Sequence, residues 1–523
     1  MILKIALLLL FFAVMTGVGL ACRKSASSVQ GFVLGSRNVG SWLTAFAFGT
    51  SYFSAVIFVG YSGQFGWRFG LASTWIGIGN ALIGSLLAWR ILGRRTRLMS
   101  QHLGTATMPD FFGKRFSSKA LKTAASAIVF LFLIPYTASL YNGLSRLFGM
   151  AFGIDYAWCV LAMALLTGIY VIAGGYMATA VNDFIQGLIM LVGICAVIVA
   201  VLKGCGGFTQ AIRDLSHISA ETAPGLDGAF VSFFGPKPLE LLGVILLTSL
   251  GTWGLPQMVG KFYAIRDEAA IRKGTFISTM FAFIVAGGCY FLGGFGRLFS
   301  SQIEYGANGS PIYDSIIPTI VSGLPDAMIG IVIVLVLSAS MSTLSSLVLT
   351  SGSTLTLDII VPASGKLLGE RAQLRWIRVL VVFFIAVSSA LAIVQARSSI
   401  TFIAQLMGIS WGALAGAFLA PFLYGLYWKR TTRAAVWASF ICGVGIMCAC
   451  MFCTFTGRVF ISPYFTSPIN AGMLAMLSGL VLVPVVSLLT KAPDRKRVSA
   501  MFECYSRTVT VQASTALSEA REG

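Results

Sequence analysis

Thirteen mostly apolar runs, each near the ~20 residues that a helix needs to cross a bilayer, follow one another along this chain of 523 residues. They fall at 2–21, 41–66, 70–92, 119–148, 156–174, 180–202, 239–262, 274–298, 326–353, 376–396, 400–427, 432–455 and 470–490. Runs of that length in that number leave too little polar surface for a soluble protein. The chain is 57% hydrophobic and 11% charged, with a mean hydropathy of +0.86. An all-α polytopic membrane protein is therefore predicted.

A formal charge of +19 would suggest nucleic acid in a soluble protein. In a membrane protein it follows from Lys and Arg being kept in cytoplasmic loops. With the N-terminus outside, alternate connections put 28 of the 37 Lys and Arg in the cytoplasm and 8 outside, with Arg146 inside a helix. The cytoplasmic set counts Lys261 with the loop to Lys273. This asymmetry predicts a cell-membrane protein whose C-terminal tail, 491–523, is cytoplasmic and too short for a catalytic domain. Residues 1–22 are expected to form a retained helix rather than a cleaved signal, because the run is too long and too uniformly apolar for one. The ten cysteines show no metal-ligand spacing and read as small hydrophobes. The partners expected are a bilayer and a small organic solute, with neither nucleic acid nor an obligate protein partner.

Two of the apolar runs are interrupted. Phe48 to Gly63 is rich in hydroxyls and broken by glycines, with Gly60 and Gly63 expected to loosen the helix. Leu247 to Pro256 contains Gly251, Gly254 and Pro256, and Pro256 removes a backbone donor. Backbone freed at mid-membrane must find partners in protein or in a wet cavity, which is how transporters build cation sites. A third run, Ser338 to Ser346, carries hydroxyls, with 339, 342, 343 and 346 on one helical face. Those hydroxyls suit a hard cation such as Na⁺, or they bond their own preceding carbonyls and let helices pack. Asp183, just inside a helix, either faces a cavity and a cationic partner or caps the helix start with Asn182. Arg146 could attract a carboxylate solute or snorkel to headgroups. No nucleophile–base pair, phosphate loop or metal-spaced cluster appears, so an enzyme is not expected.

Several segments in order resemble the sodium/solute symporter family of sodium/proline, sodium/pantothenate and sodium/sialic acid carriers. They are Phe32-Val33-Leu34-Gly35-Ser36-Arg37, Met108-Pro109-Asp110-Phe111-Phe112, Gly174-Gly175 with Asn182-Asp183 and Gln186, Met341-Ser342-Thr343-Leu344-Ser345, and Trp411-Gly412-Ala413 with Pro421 and Tyr427-Trp428-Lys429-Arg430. The resemblance implies a leucine-transporter-type fold. Two inverted five-helix repeats would span 41–202 and 239–427, with the extra helix 1–22 before them and two helices at 432–490 after.

It also implies coupling to Na⁺. By motif position the ion would be held by carbonyls of Thr50, Phe53 and Ala339 and by the hydroxyls of Ser342 and Thr343. Some relatives hold a second Na⁺, and Asp183, Ser342, Ser345 and Ser346 stand at those places here. Candidates for the solute cavity are Ser51, Tyr52, Ser54, Thr252, Trp253, Gln257 and Arg146. Tyr52 replaces an acid of the sodium/proline carriers, Ser62 a proline, and Thr248 and Thr252 an aromatic pair, which weakens the case for proline itself. The function implied is Na⁺-driven uptake of an amino acid such as proline, or of a small carboxylate, by alternating access. The alternatives are a facilitative carrier, a channel-like protein or a sensor on the same core.

Overall fold

The computed structural model describes residues 2–153, 155–220, 227–306, 309–364, 368–396 and 403–506. They form helices joined by short connections, with only isolated β-bridges such as Val39 to Ile265. Ten described helices are long and apolar enough to cross a membrane, eleven if the bent pair Pro238–Gly254 and Pro256–Ala264 is one span. The expected thirteen is not reached by that measure. Two of the ten, Tyr156–Gly204 and Val56–His102, have 49 and 47 residues. At about 1.5 Å per residue each is more than twice the ~30 Å hydrocarbon core. The first turns at Gly175, whose φ of +53° favours glycine, and Gly70, with φ +61°, interrupts the second. A Cβ at Gly175 would also lie 2.8 Å from the Phe32 carbonyl, so Gly175 lets the short helix Val29–Leu34 pack against the turn.

Both interruptions expected from the sequence are present, but the first lies elsewhere. Helix Ser41–Tyr52 stops at Phe53, whose ψ of 118° is extended, and the chain resumes helical form at Ala55. Val56–Tyr61, which includes Gly60, is wound more widely, in π-helical turns. Gly63 and Gly66 instead serve close packing. A Cβ on Gly66 would collide with the Gly293 carbonyl, and one on Gly63 would lie 2.8 Å from the Tyr313 carbonyl. In the second interruption, Pro238–Leu250 tightens over Gly251–Gly254 and extends at Leu255, ψ 121°. It restarts at Pro256, whose missing N–H costs nothing at a helix start. The two halves are bent by 46°.

Helix Asp326–Leu355 runs through the centre, buried on every side from Leu335 to Leu349, which is what an element hydrophobic all round requires. The N-terminal helix Ile2–Ala21 lies against Tyr156–Gly204. Gly19 sits against Tyr170, and Asn182 Nδ2 donates to the Met15 carbonyl at 3.3 Å. Glu268–Gly293 begins six residues earlier than expected, capped by Asp267. The hydrogen bond from Ala270 N–H and the adjacent Arg266 guanidinium hold the Asp267 carboxyl below the usual carboxylate range. Ile403–Tyr427, Arg433–Phe455 and Pro468–Leu489 form a C-terminal group, in backbone contact at Gly416 with Gly443 and at Gly412 with Gly472.

Candidate functional site

The break at Phe53 frees carbonyls beside the central helix. Phe53 N–H turns back to Gly49, and Ile57 and Phe58 N–H both go to Ser54. The carbonyls of Thr50 and Phe53 are thus left without a backbone donor among the described residues. Thr343 Oγ1 lies 3.1 Å from the Thr50 carbonyl, 3.3 Å from that of Phe53 and 3.2 Å from that of Ala339. Ser342 Oγ lies 3.3 Å from the Thr50 and 3.2 Å from the Ala339 carbonyl. These oxygens converge in a fully buried place.

The group is thinly hydrogen-bonded. The Ala339 carbonyl takes the Thr343 N–H of its own helix, so the two hydroxyls can cover Thr50 and Phe53 one each, Ser342 at 3.3 Å and Thr343 at 3.3 Å, both long for O–H···O bonds. A cation among them would take all five oxygens at once. Hard cations hold oxygens at about 2.3–2.6 Å, so ligands at right angles stand about 3.3–3.7 Å apart. The observed spacing needs only slight expansion. The residues present therefore fit a Na⁺-sized ion, which would supply the positive charge these carbonyls lack.

One turn further along the central helix is a second polar group. Ser345 Oγ donates to the Ser342 carbonyl at 2.9 Å, and Ser346 Oγ meets Ser51 Oγ at 2.9 Å. Asp183 is fully buried, and neither of its carboxylate oxygens has a hydrogen bond among the described residues. Lys261, 3% exposed, enters from the second broken helix. Its Nζ donates to Ser346 Oγ at 3.0 Å, stands 3.7 Å from Asp183 Oδ2 and lies 5.3 Å from the Tyr176 ring centroid. The sequence reading had counted Lys261 with a cytoplasmic loop, and the structure buries it in the core. Its signal was a lysine within the apolar run 239–262, five residues after the break at Pro256.

The solute candidates divide. Tyr52, Tyr136 and Trp411 gather at the first break, with ring centroids 5.6 Å apart for Tyr52 and Trp411 and 6.0 Å for Tyr136 and Trp411. Tyr52 and Tyr136 hydroxyls, Ser54 Oγ and Trp411 Nε1 are buried with no partner among the described residues. Thr252 and Tyr52 line a void of about 10 Å³ with Phe48, Gly49 and Met258. Thr252 and Trp253 spend their donors on backbone, Thr252 between the Ser249 carbonyl of its own turn at 2.8 Å and the Gly84 carbonyl at 3.2 Å, and Trp253 on the Ile83 carbonyl at 3.0 Å. Gln257 is 2% exposed with both amide ends unpartnered. It lines a small cleft with Lys261, Tyr176, Ser346 and Thr354, whose walls also include Leu34, Thr107 and Met108. The side chain of Arg146 lies outside the described residues. Tyr136 and Trp411 were not singled out as solute contacts from sequence, because an apolar helix buries aromatics for packing as readily as for binding.

A family model for the Sodium:solute symporter family matches residues 32–443. The chain is 27% identical over 492 residues to the Osmoregulated proline transporter OpuE of Bacillus subtilis (strain 168), covering 93% of this chain and 94% of that one. It is 28% identical over 445 residues to Sodium/proline symporter 2 of Staphylococcus saprophyticus, covering 84% of each. A solved Na⁺-coupled sialic acid symporter, substrate-bound and outward-open, superposes with a TM-score of 0.72 at 17% identity, covering 94% of this chain and 99% of that one. That likeness gives the architecture, a leucine-transporter-type fold.

Proposed function

Because the chain belongs to the sodium:solute symporter family, we propose that the oxygens of Thr50, Phe53, Ala339, Ser342 and Thr343 are the site through which it couples to Na⁺. The chain is a Na⁺-coupled solute symporter, a transporter rather than an enzyme, and an integral membrane protein. The observation that carries the site is the Thr343 hydroxyl with three carbonyls around it at 3.1–3.3 Å.

Two of those carbonyls belong to the broken helix and the other ligands to the central helix, so an ion there ties the two elements together. A ligand shifts a conformational equilibrium only through its different affinity for the two states. An ion whose ligands lie on two elements binds best where they are closest, and Na⁺ thereby favours one arm of an alternating-access cycle. Two inverted repeats, 41–202 and 239–427, would rock about this seam, with helices 1–22 and 432–490 flanking them and the tail 491–523 in the cytoplasm. Entry from the sodium-rich side is also electrical, at about 2.3 kcal/mol per charge per 100 mV.

The solute would meet Ser51, Tyr52, Ser54, Thr252, Trp253 and Gln257 between the two breaks, with Tyr136 and Trp411 completing the wall. The sodium/proline relatives favour a small amino acid or carboxylate, and counterflow in proteoliposomes across such a panel identifies it.

Ser342→Ala and Thr343→Ala each remove one oxygen from the site. A hydrogen bond to a charged group is worth about 1.5–3 kcal/mol, so the sodium concentration for half-maximal uptake should rise on the order of tenfold or more. Unaltered sodium dependence in both variants would sink the assignment.

A further inference from the structure

We propose that Lys261 is a resident cation: its ammonium takes the place that a second coupling ion would otherwise fill, and the carrier binds one Na⁺ per chain. The inference rests on the ion site assigned above but concerns a different group of residues.

Asp183, Ser345 and Ser346, with Ser342 beside them, are the kind of oxygen set that attracts a hard cation. A fully buried carboxylate with no hydrogen bond to either oxygen cannot stand alone at this depth. The cation it faces is covalently attached. Lys261 Nζ is 3.7 Å from Asp183 Oδ2 and 3.0 Å from Ser346 Oγ, with the Tyr176 ring closing over it. Lysine suits this task, being a compact point charge with three donors on a flexible stem.

Charge then excludes a second ion. Asp183 and Lys261 together are neutral, so a Na⁺ added among these oxygens would find the carboxylate's attraction already cancelled by the ammonium and would lose its hydration with no net charge to bind it. The tether also has a mechanical consequence. Lys261 rides on the second broken helix, and Ser346 carries its hydrogen bond on to Ser51 of the first at 2.9 Å. A charge that in a two-ion carrier would enter and leave with each cycle here stays with the protein, joining both breaks to Asp183.

The test counts ions without needing the solute. Equilibrium binding of radioactive ²²Na⁺ to purified protein in nanodiscs should give one ion per wild-type chain and two per Lys261→Met chain. The double variant Lys261→Met/Asp183→Asn, which loses the carboxylate as well, should return to one. The single variant should also acquire a sodium-dependent thermal midpoint, higher in NaCl than in N-methylglucamine chloride by more than the wild type shows. Two ions per wild-type chain would overturn the proposal, as would one per Lys261→Met chain. If that variant is too unstable to count, equal instability in both salts overturns it and rescue by NaCl supports it. The ion site itself stands or falls separately, on whether Thr343→Ala removes the single wild-type ion.

Discussion

Gln257 keeps both ends of its amide buried without a partner among the described residues, and an unmade buried hydrogen bond costs roughly 1–3 kcal/mol. A side chain retained at that cost beside the Lys261 cleft is explained if the solute completes its bonds. Gln257→Leu should therefore leave the thermal midpoint unchanged or raised and leave ²²Na⁺ binding intact, while weakening solute uptake at least tenfold. Normal uptake by this variant would remove Gln257 from the solute site. At this scale the sequence was informative where chemistry is concentrated. Ser342 and Thr343 stand out as hydroxyls on one face of an apolar run, and they do meet the Thr50 and Phe53 carbonyls. Lys261 reads as a loop residue because it stands near a helix end, and only its place inside an apolar run, just after the break at Pro256, points inward. The depth of Asp183 was hidden, since cap and cavity have the same sequence.

Among elements, the breaks were legible and their positions were not. Glycines at 60, 63 and 66 suggested where the first helix opens, yet it opens at Phe53 and Ser54, residues with no intrinsic tendency to break a helix. The reason is tertiary. The carbonyls released there are met by hydroxyls of the central helix, while Gly66 lets helix Ser62–Phe69 approach Glu268–Gly293 and Gly63 lets it approach Tyr313–Ser322 at backbone distance. Small residues at helix contacts are how membrane bundles pack, and a methyl added to such a contact forces the backbones apart at a cost of about 1–3 kcal/mol. Gly66→Ala should lower the thermal midpoint and the yield of folded protein, whereas Gly445→Ala, whose Cβ would meet nothing within 4 Å, should do neither. Equal effects of the two substitutions would mean that glycine's flexibility, and not its size, is what position 66 requires.

For the molecule as a whole, orientation is an expectation from the charge asymmetry, and the cleft makes it testable. Moving Lys261 from its loop into the core leaves the Lys and Arg bias toward one face large, and that face carries Arg115, whose burial pulls its guanidinium pKa down to about 10. Lys122 joins Asp110 at 2.8 Å and Asp358 at 3.1 Å there. The cleft at Lys261 is lined also by Leu34, Thr107 and Met108, residues of the connections that the charge count assigns to the cytoplasm. On that assignment the cleft is the inner mouth of the pathway. A reporter on its wall should then be reachable only from inside the cell. Thr350 lines the cleft, so Thr350→Cys, made after replacing the ten native cysteines, should react with a membrane-permeant maleimide in intact cells. A charged, impermeant maleimide should label it only in inside-out vesicles. An ion at the proposed site would favour the state in which the two elements lie closest, so NaCl and choline chloride should give different labelling rates, and Thr343→Ala should abolish the difference. Faster labelling by the impermeant reagent from outside the cell would reverse the orientation of the whole chain. Labelling from inside with no sodium effect would keep the orientation and break the link between the ion site and the gate.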